Sequence, residues 1–180
     1  MRISIEGNIA SGKSVQVKNL DGYLEPIKDW PLELFYSDPE RWALVLQLAI
    51  LNGFHDIKEG IVERSPESSL EVFWNLVQHP PEEDKSYRAI HKKLAWSPDA
   101  IVYIRTPPEV CFERLKKRGQ TGDSYVTIEY LQQIHEKYEK YIRTKSNVLV
   151  VDGQETPLRI CEKINSFIYS NDMLDLSRGT

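Results

Sequence analysis

Residues 7–14 read Gly-Asn-Ile-Ala-Ser-Gly-Lys-Ser and match the pattern G-x-x-x-x-G-K-[ST] completely. The run before them, 2–6, alternates like a short buried strand, and the run after them, 15–20, can begin a helix. In this setting the glycines let backbone N–H groups turn towards an anion, and the helix N-terminus adds its positive end. A chance glycine-rich turn would share the letters but not the setting. The sequence therefore predicts a nucleoside-triphosphate site.

Every residue of this segment, which we call the phosphate loop, is a candidate ligand for the phosphates: Gly7, Asn8, Ile9, Ala10, Ser11, Gly12, Lys13 and Ser14. Lys13 is expected to reach the β- and γ-phosphates. Ser14 offers a hydroxyl oxygen of the kind that holds a magnesium ion beside them. We therefore expect the nucleotide to bind together with Mg²⁺.

Short apolar runs alternate with helical patterns along the rest of the chain. Strands are predicted at 2–6, 60–64, 100–105 and 147–151, with a short fifth at 23–25. Helices are predicted at about 13–20, 39–58, 67–78, 85–96, 107–118, 127–144 and 157–170. The alternation favours an α/β fold in which a five-stranded parallel sheet is covered by helices on both faces. We expect one domain over 1–170 and a frayed tail over 171–180.

The charge balance argues against a nucleic-acid-binding surface. The chain has 23 basic and 27 acidic residues and a pI near 5.6, so a small-molecule partner is expected. No secretory signal is recognised, and the longest apolar stretch, 43–51, is too short to cross a bilayer. Cys111 and Cys161 are typical of buried free thiols in a reducing compartment. We expect a soluble, cytoplasmic protein without membrane contact.

Polar residues directly after the predicted strands are the next candidates, because ligands of parallel sheets lie beyond the carboxyl ends of the strands. This criterion selects Glu25, Glu63, Arg64, Arg105 and Asp152. Glu63 can hold magnesium directly or through water, and Arg64 can stabilise charge on a transferred phosphoryl group. Glu25 can act as the base for a hydroxyl acceptor. The structural alternatives are a surface ion pair for Glu63 and Arg64, and a solvated side chain for Glu25.

Two further features fit a nucleotide site but also have ordinary explanations. Arg114 and Arg118 lie four apart on one helix and run into the polar, glycine-flanked loop 119–124. They suit a lid that closes over the triphosphate, or simply a solvated helix end. Gln47 is isolated in the apolar helix 41–53, which is expected in the core or at an interface. Its amide can pair with a nucleobase edge or bond to the backbone as a core glutamine.

Taken together, these residues resemble the deoxyribonucleoside kinase family, which includes deoxycytidine, deoxyguanosine and mitochondrial thymidine kinases and, more distantly, herpesviral thymidine kinases. The resemblance covers nearly the whole chain through GNIASGKS, LEP at 24–26, YSDPERWALVLQ at 36–47, ERSPESS at 63–69, YIRTPPEVCFERLKKRG at 103–119 and IEYLQQIHEKYEKY at 128–141. It implies a P-loop kinase fold with a short lid at about 114–126. It also implies transfer of the ATP γ-phosphoryl group to the 5′-hydroxyl of a deoxynucleoside. The short length is most similar to viral or phage members.

The resemblance also implies roles for individual residues. Glu25 is implied as the general base on the 5′-hydroxyl, with Arg64 beside it and Glu63 near magnesium. Tyr36 is implied to bond the sugar 3′-hydroxyl and Gln47 to read the base. The other implied contacts are Trp30 and Phe73 on the two faces of the base, Arg114 and Arg118 on the phosphates, Asp123 near the sugar, and the loop from Asp152 against the adenine of ATP. Family members are commonly homodimers through the helix that carries Gln47.

At three positions the chain departs from the family pattern. Phe54 stands where an arginine is usual, and Ser69 stands where cytidine-preferring members carry an aspartate. Gln120 replaces the usual second lid arginine. Loss of the Arg–Asp pair leaves a more apolar pocket that tolerates the methyl group of thymine. We therefore predict thymidine as the preferred acceptor, with broad specificity.

The sequence leaves two other functions open. A nucleoside monophosphate kinase of the thymidylate kinase type shares the fold and the phosphate loop, although Glu25 would repel an acceptor that already carries phosphate. A non-catalytic, nucleotide-binding regulatory module is compatible with Phe54 and Gln120. A switch GTPase is not favoured, because the chain contains no Asn-Lys-x-Asp motif.

Overall fold

The computed structural model describes residues 1–120 and 122–178, with the backbone alone over 172–178. The strands are β1 (Arg2–Glu6), β2 (Gly60–Glu63), β3 (Ala100–Arg105) and β4 (Val148–Asp152). The α-helices are α1 (Lys13–Asn19), α2 (Leu32–Ser37), α3 (Pro39–His55), α4 (Pro66–Ser68), α5 (Pro81–Leu94), α6 (Pro108–Arg118), α7 (Ile128–Arg143) and α8 (Pro157–Arg178). Within the described part of the chain, no helix has the length and apolarity needed to span a bilayer.

The strands form one parallel sheet in the order β2-β1-β3-β4. The sheet is covered on both faces, as predicted. On one face, Val102 of β3 belongs to an apolar cluster with Val17 of α1 and Ile164 of α8. On the other face, Ile101 belongs to a cluster with Ile134 of α7. The α/β architecture is thus confirmed, and the carboxyl ends of all strands lie at the same edge of the sheet.

The predicted fifth strand at 23–25 is wrong. Tyr23 forms a single parallel bridge to Val62 beside β2, and the ladder goes no further. The next residues lead to Pro26 and a 3₁₀ turn at Ile27–Asp29. A proline has no N–H to continue a ladder, so the chain leaves the sheet edge and enters the cavity described below.

Two helix predictions also need correction, and one short helix was not predicted. The helix predicted at 67–78 is a succession of α4, a π-helical turn at Ser69–Phe73 and a 3₁₀ turn at Trp74–Leu76. Helix α2 was not predicted, because its six residues are too few to show a helical period. Helix α8 continues past 170 to Arg178, since no glycine or proline interrupts the chain before Gly179. The last two residues of the expected frayed tail lie outside the described residues.

Candidate active site

The phosphate loop connects the buried end of β1 to the start of α1. Gly7 and Gly12 have φ values of 147° and 105°, and Ala10 has a φ of 59°. A side chain at Gly7 would place its Cβ 2.7 Å from the carbonyl oxygen of Ile104 in β3. The glycines therefore provide both the left-handed backbone and the close approach to the sheet that this turn needs.

Lys13 is buried at the base of the loop, where its Nζ donates to the carbonyl oxygen of Asn8 at 2.8 Å. Burial lowers the pKa of Lys13 to about 8. The Asn8 side chain anchors the loop from outside the cavity: its Nδ2 donates to the Leu131 carbonyl, and its Oδ1 accepts from the N–H of Ile9. The Lys13 ammonium group is thus held close to the loop backbone.

A cavity of about 1020 Å³ opens from the phosphate loop across the carboxyl edge of the sheet. Most of the predicted site residues line it, namely Ile9, Ala10, Ser11, Gly12, Lys13, Ser14, Glu25, Trp30, Tyr36, Gln47, Glu63, Arg64, Phe73, Arg114, Arg118 and Asp123. Gly7, Asn8 and Asp152 do not line it. The structure therefore brings together predicted residues that are up to 114 positions apart in the sequence, from Ile9 to Asp123.

Asp152 was predicted to begin the loop that lies against the adenine of ATP, and its own side chain does not line this cavity. Its carboxylate is exposed and accepts from the backbone N–H of Gln154. The loop after β4 reaches the cavity through Gly153 and Glu155 instead. Arg105, selected by the same strand-end criterion, points away and donates two hydrogen bonds to Glu139, at 2.9 Å each. Side chains of a strand alternate between its two faces, so the criterion locates the edge of the sheet but not the direction of each side chain.

Glu25 and Arg64 form an ion pair inside the cavity, with side chains that are 9% and 12% exposed. Arg64 has a φ of 62°, an unusual value for a residue other than glycine. Its guanidinium is held on three sides: by Glu25, by the Tyr138 hydroxyl at 3.3 Å and by the ring of Phe73, 4.9 Å from the ring centre. Burial raises the pKa of Glu25, while the charge of Arg64 opposes this rise. A carboxylate with a raised pKa is suited to take up a proton.

Ser14 and Glu63 meet at the mouth of the phosphate loop, where the Ser14 hydroxyl donates to Glu63 Oε1 at 2.6 Å. A hydroxyl and a carboxylate oxygen are ligands that suit Mg²⁺, which usually takes one or two protein oxygens together with phosphate and water. Among the described residues there is no cluster of three or more histidine, cysteine, aspartate or glutamate side chains that could hold a metal ion. Ser14 and Glu63 offer the two protein oxygens that a nucleotide-bound magnesium ion would need.

At the far end of the cavity, Gln47 is buried among aromatic rings. Its Oε1 accepts from the hydroxyls of Ser69 at 2.6 Å and Tyr87 at 3.2 Å. Trp30 and Phe54 pack against each other there, with ring centres 6.4 Å apart. This end of the cavity combines flat apolar walls with one amide, as a nucleobase site requires.

The basic end of α6, predicted to belong to a lid, lies next to the phosphate loop. Arg114 donates to the carbonyl oxygens of Ser11 at 3.2 Å and Gly153 at 2.7 Å. Arg118 forms a two-bond ion pair with Asp123, at 3.0 and 2.5 Å. Residue 121 of the predicted lid lies outside the described residues. Both side chains line the cavity, and the pairing leaves one terminal nitrogen of Arg118 without a hydrogen bond to Asp123.

The sequence reading missed a buried network behind Arg64. The Glu6 carboxylate accepts from the Tyr138 hydroxyl at 3.0 Å and from the Ser65 hydroxyl at 2.8 Å, and Tyr138 in turn accepts from Arg64. Burial raises the pKa of Glu6. The sequence does contain one indication of this network. Glu6 ends a strand that was predicted to be buried, and a buried carboxylate needs hydrogen-bond donors around it.

Comparison with known proteins agrees with this geometry. Residues 3–171 match the family model described as deoxynucleoside kinase. The chain belongs to the deoxynucleoside kinase family. It is therefore a kinase, and the resemblance predicted from its motifs is confirmed.

The relatives of this deoxynucleoside kinase are viral and cellular. The 029R protein of Invertebrate iridescent virus 3 is 32% identical over 170 residues, which are 85% of this chain and 88% of that protein. Thymidine kinase of Ictalurid herpesvirus 1 is 29% identical over 188 residues, 89% of this chain and 82% of that protein. Human mitochondrial thymidine kinase 2 is 32% identical over 168 residues, 78% of this chain and 63% of its own length.

Solved structures show the same fold. The deoxyadenosine kinase of M. mycoides with dCMP and dCDP bound superposes with a TM-score of 0.78 at 22% identity, covering 94% of this chain and all of that chain. The same enzyme with dCTP bound also has a TM-score of 0.78, at 23% identity. At this level of identity the likeness concerns the fold alone.

Proposed function

We propose that this deoxynucleoside kinase transfers the γ-phosphoryl group of ATP to the 5′-hydroxyl of a deoxyribonucleoside. The observation that carries the proposal is the Glu25–Arg64 pair, which lies in one cavity with Lys13 and the rest of the phosphate loop. The cavity thus has a phosphate-binding end and an apolar end, with a carboxylate on its wall. This is the arrangement needed to bring a triphosphate and a hydroxyl acceptor into line.

Glu25 is the proposed base. The acceptor hydroxyl must lose its proton as the new P–O bond forms, and a carboxylate of raised pKa takes that proton more readily than an ordinary one. Arg64 holds Glu25 in place and contributes positive charge near the transferred group. A neutral hydroxyl acceptor suits this site, whereas an acceptor that already carries phosphate would be repelled by Glu25.

The donor end would neutralise charge on the phosphates. Lys13 is proposed to pair with the β- and γ-phosphates, and Arg118 to join them once it releases Asp123. Ser14 and Glu63 are proposed to hold the Mg²⁺ of the nucleotide. When bound, that ion would bridge phosphate oxygens and offset their negative charge.

The proposed acceptor is thymidine, with breadth across deoxynucleosides. Phe54, which replaces the arginine of the family's Arg–Asp pair, is buried against Trp30. The wall near the base is therefore apolar and tolerates the methyl group of thymine. Gln47 is proposed to contact the base edge, with Trp30 and Phe73 along its faces and Tyr36 near the sugar. Burial raises the pKa of Tyr36 to about 12, so its hydroxyl stays protonated and can donate to the sugar. Relatives named thymidine kinase and deoxycytidine kinase support thymidine and deoxycytidine as acceptors.

Helix α3 is the proposed homodimer contact. It buries one face in the core but leaves Trp42 and Ala49 half-buried and Val45 46% exposed. These three residues recur at helical spacing along one side of α3, as expected for an apolar face that meets a second copy.

The experiment is a phosphoryl-transfer panel with Mg-ATP and each of the four deoxynucleosides, with products separated by chromatography. The proposal expects 5′-monophosphates, with thymidine as the best acceptor. If 5′-monophosphates form but another deoxynucleoside is the best acceptor, the proposed reaction stands and thymidine is wrong as the preferred acceptor. Binding of ATP without any nucleoside product would refute the reaction itself.

A further inference from the structure

Arg64 uses two of its three guanidinium nitrogens for hydrogen bonds within the protein. Its Nη1 donates to Glu25 inside the cavity, and its Nε donates to the Tyr138 hydroxyl behind it at 3.3 Å. Among the described residues, the third nitrogen, Nη2, has no hydrogen-bond partner. Because the Arg64 side chain lines the cavity, Nη2 is the nitrogen that remains for a ligand.

Tyr138 connects Arg64 to a second carboxylate, which belongs to Glu6. Both Tyr138 and Glu6 are fully buried, and the Tyr138 hydroxyl donates to Glu6 Oε2 at 3.0 Å. Glu6 Oε1 accepts from Ser65 Oγ at 2.8 Å, and Ser65 Oγ in turn accepts from the N–H of Ser68. Each of the two hydroxyls already accepts from an N–H group, so its own hydrogen is directed at Glu6. Glu6 thus receives one hydrogen on each oxygen, which fits an ionised carboxylate.

The two contacts of Arg64 differ in what the proposed reaction does to them. Glu25 loses its negative charge when it takes up the acceptor proton, so its attraction for Arg64 weakens as the phosphoryl group is transferred. Glu6 and Tyr138 do not line the cavity, so they meet neither substrate and their contact with Arg64 is unchanged. The ring of Phe73 lies 4.9 Å from the guanidinium carbon, but stacking alone does not fix the rotation of the guanidinium group in its plane.

Resting on the function proposed above, we infer that Tyr138 and Glu6 are positioning residues for phosphoryl transfer. They hold Arg64 from behind through its Nε while Glu25 becomes neutral, so that Nη2 stays in place for the transferred phosphoryl group. Position 64 needs such an anchor, because its backbone has a φ of 62° and its side chain starts from an unusual direction. The buried network therefore serves the transition state more than the binding of either substrate.

The test compares the wild type with Tyr138→Phe, which removes only the connecting hydroxyl, and with Glu6→Gln, which removes only the charge behind it. Tyr103→Phe is the matched control: Tyr103 is also buried and stacks on Tyr138, but its hydroxyl bonds to Glu139. The assay measures kcat and KM with the best deoxynucleoside acceptor, and calorimetry measures the ATP dissociation constant.

Tyr138→Phe should lower kcat about tenfold or more, the effect of losing a hydrogen bond to a charged group. The KM of the acceptor and the ATP dissociation constant should stay within about threefold of the wild type, because the lost contact acts in the transition state. Glu6→Gln should lower kcat in the same way, since a neutral amide attracts the Tyr138–Arg64 pair less. Tyr103→Phe should keep kcat within about twofold.

The split between kcat and binding is the decisive readout, because a general disturbance of the sheet edge would weaken substrate binding as well. A Tyr138→Phe variant with kcat within about twofold of the wild type would overturn the inference. So would equal losses in kcat and in substrate binding, or a loss of the same size in Tyr103→Phe. If Tyr138→Phe does not fold, Glu6→Gln decides by the same criteria. If the wild type phosphorylates no deoxynucleoside, the proposed function fails instead, and that outcome is seen before any variant is compared.

Discussion

Replacing Glu25 by glutamine tests the proposed base with minimal change of shape. The glutamine side chain has the same length, and its oxygen can still accept from Arg64, which the carboxylate contacts in the structure. It cannot take up a proton at neutral pH. Position 25 would also lose its negative charge, leaving Arg64 free to attract phosphate oxygens more strongly. The variant therefore separates proton transfer from binding of the nucleotide.

The expected loss is large for kcat and small for ATP affinity. General base catalysis contributes about 10²- to 10⁴-fold in rate, equivalent to about 3 to 5 kcal/mol in the activation barrier. The assay measures ADP release with thymidine as acceptor and, separately, ATP binding by calorimetry. Glu25→Gln should retain its ATP dissociation constant within about threefold or bind ATP more tightly. Glu33→Gln, which changes an exposed glutamate of α2, is the matched control and should keep full activity.

A Glu25→Gln variant that keeps more than about a tenth of the wild-type kcat would exclude Glu25 as the base, since loss of a base costs at least about a hundredfold. Equal losses in kcat and in ATP affinity would also contradict it. That result would mean that Glu25 shapes the nucleotide site rather than accepting the proton.

Three other perturbations give distinct outcomes. Because the pKa of Lys13 is about 8, Lys13 is charged below that pH, and calorimetry should show ATP affinity falling as the pH rises from 7 to 9; a flat profile would contradict this role. In Gly153→Ala the new Cβ would lie 1.8 Å from Thr106 Oγ1, so thermal denaturation should show a loss of about 1 to 3 kcal/mol. Adding Thr106→Ala should restore only part of it, because Thr106 Cβ and Ile104 Cγ2 would still lie 3.0 Å from the new Cβ; an unchanged melting temperature in Gly153→Ala would contradict the close contact. Val45→Asp, on the exposed side of α3, should convert a dimer to a monomer in light scattering, and a monomeric wild type would refute the proposed contact.

The phosphate loop was predictable because its eight residues are consecutive and act through their own backbone. The sheet was predictable because its strands are short apolar runs between helical patterns. The absence of a fifth strand at 23–25 was not predictable. A single bridge at Tyr23 and a short strand have the same sequence pattern, and they differ only in the course that the chain takes at Pro26. Local sequence therefore predicts the elements better than their pairing.

Site residues that depend on distant partners were harder to predict. Tyr138 has the apolar spacing of a core residue on α7, yet its hydroxyl joins Arg64 to Glu6 across 132 positions of sequence. Asp152 lies at a strand end as expected, but its carboxylate accepts from the backbone N–H of Gln154 and does not line the cavity. The direction of a side chain and its hydrogen bonds to distant residues depend on how the whole chain packs. The periodicity of the sequence carries no information about that packing.

The central claim is that the acceptor is a neutral nucleoside hydroxyl. The most direct measurement offers the enzyme Mg-ATP with an equimolar mixture of thymidine and thymidine monophosphate, and follows both acceptors by chromatography. The account predicts that thymidine is consumed and thymidine monophosphate accumulates, with the new phosphate on the 5′-oxygen. Formation of thymidine diphosphate while thymidine is left unchanged would contradict it.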